Sequence, residues 1–259
     1  MQSLKPLQGH LSRFIKAACL LGLLVSTVSA ETKNSHLICR PELSPAHRTE
    51  LAEKLRAITG WSQLDFDEEG VLRMGGEMEA HGGSRAAREL LAAAAEGRAL
   101  MLLEDASHRA DVVFARVNPG RWTKDGAQKP PVYVILIDFA DFQHVIGDEA
   151  ARAAFNEGWA VLHEIAHVVH DSADAEEGAN EPGACETLIN RMRRECGLAE
   201  RAEYFFDLFP GQERTAFTTR LVRLAFDLQT PQLKKKRYWL MWDANLVGGI
   251  EASKQIAAR

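Results

Sequence analysis

His163, Glu164 and His167 stand in the order His-Glu-x-x-His within the stretch VLHEIAHVVHDSAD (Val161–Asp174). On a helix, residues four apart project from one face. Two imidazoles so placed can bind a single divalent ion, zinc above all, and the glutamate beside the first can take a proton from a water that the metal activates. The chemistry on offer is metal-assisted hydrolysis. A chain of this composition yields the pattern by chance about 0.04 times, even with every acid allowed in the glutamate position.

Helix phase extends the pattern. At about 100° per residue, His163, His167 and His170 fall within an arc of about 60°. Asn156 lies inside that arc, and Asp171 and Glu164 follow it. Phe155, Val161, Leu162, Ile165, Val168 and Val169 cover much of the remaining circumference. A helix apolar on most sides is buried, and buried titratable groups without partners are costly. A metal ion accounts for them together.

A catalytic zinc takes three protein ligands and leaves one position for water. His170 has the right phase, but one straight helix does not wrap three histidines around one ion. The metzincin arrangement breaks the helix at a glycine and supplies a histidine three residues later. Here those positions hold His170 and Ala173, so that arrangement does not fit. The chain also resembles the gluzincin pattern, in which a glutamate on the next helix is the third ligand. Glu186, with eighteen residues between it and His167, matches that glutamate. The resemblance implies His163, His167 and Glu186 as ligands of Zn2+. Asp174, Glu177, Glu181 and His170 are the alternatives. Asn190 stands where the pattern has an acid that orients a zinc histidine, and its carbonyl can accept from an imidazole N–H.

The run ETLINRMRRECGLAERAEY (Glu186–Tyr204) resembles bacterial zinc-peptidase domains of effector and Rhs-toxin type. The matching residues are Asn190, Arg193, Glu195, Gly197, Leu198, Arg201 and Tyr204. Those domains often carry a glutamate just before the asparagine, where this chain has Ile189. The likeness spans roughly residues 130 to 205. It implies a zincin-like metallopeptidase fold, with Glu164 as general base and Tyr204, His170 or Arg193 as the donor to the oxyanion, Tyr204 being preferred. It also implies that the strand VYVILIDFADF lies above the zinc helix and aligns extended substrate.

The elements that must position these residues are legible in outline. Pro45–Thr59 reads as an amphipathic helix stopped by Gly60, and residues 84–98 as a second helix. GVLRMGG, ALMLLED, DVVFARV and above all Val132–Phe142 read as strands. Asp148 is placed to cap a long helix reaching His170. A loop over residues 171–180 follows, and Asn180, Glu181 and Pro182 then open a helix to about Cys196 that Gly197 stops. The remainder reads as mostly helical, with Lys234–Arg237 as a solvated turn. Strands first and helices later, with little alternation, predict an α+β fold with a small N-terminal sheet, an active-site helix and a mostly helical C-terminal part.

The chain has 259 residues, 46% hydrophobic and 26% charged, with a formal net charge of -5. That suits one large domain and gives no basic surface for nucleic acid. Lys5, Arg13 and Lys16, then the apolar AACLLGLLVSTV, then Val28–Ala30 form the three parts of a signal peptide (residues 1–30) cleaved after Ala30. The apolar run is short for a membrane span, so no stable insertion is expected after cleavage. Residues 31–259 would form one domain, secreted or periplasmic. Of Cys39, Cys185 and Cys196, the last two share a helix about 16 Å apart and cannot bridge. Any disulfide would use Cys39.

These readings converge on a secreted or periplasmic zinc-dependent metalloendopeptidase acting on protein or peptide substrates. The alternatives are an inactive zincin scaffold that binds zinc or a partner, an effector-type toxin protease, and a periplasmic binding or structural protein with a histidine-lined helix.

Overall fold

The computed structural model describes residues 35–120, 130–176, 182–209, 220–229 and 234–248, which belong to one compact unit. The expected signal peptide, Glu177 and Glu181 lie outside the described residues. The chain is mixed α+β. Strand β1 (Leu37–Cys39) leads into α1 (Pro45–Thr59), capped by Ser44, which accepts from the His47 N–H, and closed by Gly60 in the left-handed conformation. A small hairpin of β2 (Asp65–Phe66) and β3 (Leu72–Arg73) precedes α2 (Arg85–Glu96). Strands β4 (Leu100–Asp105), β5 (Ala115–Pro119) and β6 (Val132–Ile137) follow. After α3 (Phe139–Gln143), β7 (Ile146–Gly147) and α4 (Glu149–Ala153) come the two helices of the site, α5 (Glu157–His170) and α6 (Ala184–Glu195). The chain then forms β8 (Glu200–Arg201), β9 (Asp207–Leu208) and a long hairpin of β10 (Leu221–Gln229) and β11 (Lys235–Asp243).

The first sheet has the order β1-β4-β6-β5. Its first three strands are parallel, and β5 runs antiparallel at the edge. The near-continuous apolar run of β6 fits its interior position, where both faces are covered. Residues Ile135, Leu136 and Ile137 are all buried. The strand is shorter than its sequence suggests. Asp138 ends it by capping α3, its carboxylate accepting the Asp141 N–H at 3.0 Å. Being interior, β6 has no free edge to offer, and the edge belongs to β5.

Helix α5 packs against α1, α2 and α6 and against β5 and β6. Its start differs from expectation. Asp148 opens only the short α4, makes no side-chain cap, and instead accepts the Trp239 N–H at 2.8 Å. Helix α4 ends at Ala153, and Asn156 caps α5 by accepting from the Gly158 and Trp159 N–H groups. Gly158 allows α1 to approach: a Cβ there would lie 2.8 Å from the Lys54 Cβ and 3.0 Å from the Ile58 Cδ1.

Among the described residues after α6, the C-terminal part forms strands where helices are expected. Strands β10 and β11 pair along nine residues each, joined by β7, β8 and β9 in a second sheet. Lys235–Arg237 open β11 rather than form a turn. Trp242, Phe226, Leu224 and Leu240 of this hairpin build a second core with Phe114. Cys39, Cys185 and Cys196 are free thiols, so no disulfide joins them. No helix among the described residues is long and apolar enough to cross a membrane.

Replacing Asn156 by Ala removes the cap of α5 and should cost about 1 kcal/mol. In a domain of this size that is a fall of roughly 2–4 °C in Tm, measured by circular dichroism on heating.

Candidate metal centre

Helix α5 ends at His170, and Asp171 takes a left-handed conformation (φ 50°, ψ 38°). Aspartate tolerates this region better than most residues. The turn reverses the chain and brings Asp174 back over the helix. Its Oδ1 lies 3.0 Å from His163 Nε2 and 3.3 Å from His167 Nε2. Ligand atoms held at 2.0–2.1 Å around a tetrahedral ion sit roughly 3.3 Å apart, so the spacing fits one metal ion. With the Cys185 sulfur, these three residues form a group that could hold a metal ion, their ligand atoms all within 4.8 Å of one another.

The other ring nitrogens are held from behind. His167 Nδ1 donates to the Ser172 carbonyl oxygen at 2.6 Å. His163 Nδ1 faces the Glu186 carboxylate at 3.5 Å. Each contact leaves the Nε2 lone pair for the ion, the usual way a protein fixes an imidazole ligand. Burial opposes protonation of His163, but hydrogen bonds to Asp174, Cys185 and Glu186 outweigh it and raise its pKa. His167 is raised chiefly by its hydrogen bond to Asp174. Burial would raise Asp174, yet its hydrogen bonds to the two histidines hold it far below the usual carboxylate range. A cation displacing the imidazole protons would take over the same favourable charge.

Glu186, the ligand that the gluzincin resemblance implies, is not in this group. It is fully buried on the first turn of α6. Its Oε1 accepts from Arg193, and its Oε2 accepts from Arg201 at 3.1 Å. Burial would raise its pKa, but the charges of Arg193 and Arg201 and the bond to His163 pull it well below normal. Asn190 orients Arg193 rather than a histidine: its Oδ1 accepts from Arg193 and from the Arg201 N–H, and its amide donates to the Arg201 carbonyl. Arg193 is held between the Trp159 and Phe226 rings. The Asn-x-x-Arg…Arg…Tyr residues thus form one buried network behind His163.

Glu164 is buried next to the histidines, and its Oε2 accepts the Val117 N–H of edge strand β5 at 2.9 Å. Burial raises its pKa against the pull of His163 and His167. Tyr204 stacks near His163, with ring centroids 6.2 Å apart. Its burial pushes the phenol well above its ordinary pKa, so it stays a donor. His170 is exposed at the end of α5, away from the group. Sequence reasoning gives Asp174 only as an alternative ligand and Arg201 only as a residue of the matching run, and it gives Cys185 and Val117 no part in the site. Asp171 as a helix-ending residue was the available signal for Asp174. Comparison of the chain with protein-family models, curated proteins and solved structures finds no match.

Glu186→Ala leaves Arg193 and Arg201 buried against no carboxylate and should destabilise by about 3–5 kcal/mol, read from urea unfolding. Glu186 and Asp174 both fall below their ordinary values of 4.5 and 3.8. Their contribution in metal-free protein is therefore complete above about pH 4.5 and is lost as pH falls below it. In urea titrations from pH 5.5 down to 2.5, Glu186→Gln should show a shallower loss than wild type.

Proposed function

We propose that the protein is a zinc-dependent metallopeptidase of zincin type, working outside the cytoplasm. The carrying observation is the triangle of His163 Nε2, His167 Nε2 and Asp174 Oδ1, with 3.0 and 3.3 Å edges, beside the buried Glu164 carboxylate. Two neutral imidazoles and one carboxylate are a donor set that suits zinc and leaves a position open. Bound there, zinc would supply Lewis-acid polarisation of the scissile carbonyl and would acidify water.

The chain's own groups account for the rest. Glu164, raised by burial, takes a proton from the attacking water and delivers it to the leaving amine. Tyr204, kept protonated, donates to the oxygen on which charge develops. In antiparallel pairing, the N–H and C=O of one residue point the same way. The Val117 N–H points to Glu164, so β5 turns this residue's polar groups away from β6. The open edge of β5 is then the strand along which an extended substrate would lie. Glu186 and its arginines hold His163 in place. Export rests on the N-terminal pattern of residues 1–30.

Cys185 favours a second reading. Its sulfur is near enough to be a fourth ligand, which would close the site and make it a structural zinc centre of a non-catalytic zincin scaffold. Its thiol donates to the His163 carbonyl at 3.3 Å, and burial raises its pKa. The hydrogen bond to the His163 carbonyl favours a thiol held off the metal.

The full chain should retain one zinc per molecule by elemental analysis, and Asp174→Ala should not. Glu164→Gln should keep the zinc and lose roughly 10²–10⁴-fold in peptide cleavage. Equal cleavage by both forms contradicts the base role. Cobalt-substituted protein should lack a thiolate-to-cobalt charge-transfer band, whereas a band abolished by Cys185→Ser would establish the closed site.

A further inference from the structure

A cavity of about 190 Å³ opens beside His163 and Glu164. That exceeds the ~150 Å³ void in which a benzene ring is held, so one large residue fits. Its walls include Phe114, Phe155, Trp159 and Trp242, together with Arg193, Arg201 and Glu186. A pocket meant only for an apolar side chain has no use for two guanidinium groups. Burying charge without compensation is costly, and here the compensation is incomplete. Glu186 is shared between both arginines. Nearby Glu200 is taken by Arg194 at 2.9 and 2.6 Å, and Glu203 accepts from Arg237 at 3.0 Å. With a divalent ion bound, the ion and the two arginines exceed Asp174, Glu164 and Glu186 by one positive charge.

Arg201 is the group placed to use that excess. Its Nε donates to the Glu203 carbonyl at 3.2 Å, one Nη to Glu186 and the other to the Tyr204 carbonyl. Of the five N–H groups of a guanidinium, this leaves one on each Nη without a partner among the described residues. The side chain keeps 16% exposure, against 3% for Arg193.

We propose that this cavity receives the substrate residue beside the scissile bond when that residue bears a carboxylate, and that Arg201 reads the carboxylate. The group is either an acidic side chain or the carboxylate of a chain terminus. The aromatic walls exclude water and strengthen the contact. This deepens the peptidase reading and rests on it.

The test uses zinc-loaded full chain and matched peptides with Glu or Gln beside the cleaved bond, each with a free or an amidated C-terminus. The favoured member of a pair should show kcat/KM higher by roughly 10- to 100-fold, the worth of a charge-assisted hydrogen bond. A gain confined to Glu identifies the side chain. A gain confined to the free terminus identifies terminal cleavage. Cleavage that proceeds with less than a twofold difference in both pairs overturns the proposal and leaves the peptidase reading standing. Binding is read separately, because Trp159 and Trp242 line the cavity and report an occupant by fluorescence. 3-Phenylpropionate should bind more tightly than 3-phenylpropionamide, by the same factor. Arg201→Gln should remove the difference and Arg201→Lys should keep part of it, with melting curves showing both variants folded. Equal binding of acid and amide, or an acid preference unchanged in Arg201→Gln, overturns the proposal. An Arg201-dependent acid preference in a protein that cleaves no peptide would leave the pocket assignment standing and remove the peptidase reading.

Discussion

The site depends on one buried carboxylate. Glu186 lies where α5, α6 and the segment around Arg201 meet, fully shielded from water, with two guanidinium groups and an imidazole turned toward it. An isolated charge there would be prohibitive; a paired one is tolerable only when its hydrogen bonds are complete. That requirement fixes several elements at once. Helix α6 must present Glu186, Asn190 and Arg193 on the side facing α5, with Cys185, Ile189 and Met192 buried alongside. Strand β10 must bring Phe226 against Arg193. The chain after α6 must return so that Arg201 reaches the same carboxylate. His163, one of the residues that could hold a metal ion, takes its orientation from this arrangement.

The opposite side of the metal triangle is held by different means. Asp174 is delivered by a single left-handed residue at the end of α5, and the Ser172 carbonyl that the same turn exposes holds His167. One local backbone event thus places one member of the candidate metal group and orients another. Glu164 is constrained from a third direction, by the edge strand of the first sheet. The histidines, Asp174 and Glu164 are thus fixed independently, from the helix, the turn and the sheet.

Much of the α/β core was legible because its signals are local. Gly60 closes α1 as read, α2 lies within its expected range, and α6 ends beside Cys196 as expected but starts at Ala184 rather than at Pro182. The C-terminal hairpin was not legible. In LVRLAFDLQ, the spacing of Leu221, Leu224, Ala225 and Leu228 suits a helix as well as a strand, and a short apolar run does not decide between them. Pairing decides it: Asp227 opposite Arg237, with two hydrogen bonds of 2.9 and 3.0 Å, and Phe226 opposite Tyr238. Those partners are about ten residues away, so no window along β10 contains them. The misplaced start of α5 has a similar origin. Asp148 is a good cap by type, but its carboxylate is engaged by β11, and Asn156 caps the helix instead.

The sequence by itself determined that His163 and His167 share one helix face with Glu164 beside them, because helical periodicity acts over four residues and needs no distant partner. It did not determine what each acid does. Asp174 and Glu186 are both carboxylates within reach of the same histidines, and composition and spacing treat them alike. The fold separates them. A left-handed turn sets Asp174 between the two Nε2 atoms, while two buried arginines hold Glu186 on the far side of His163. Only the tertiary structure brings those arginines to it, and a carboxylate already paired with both has little left to offer a metal.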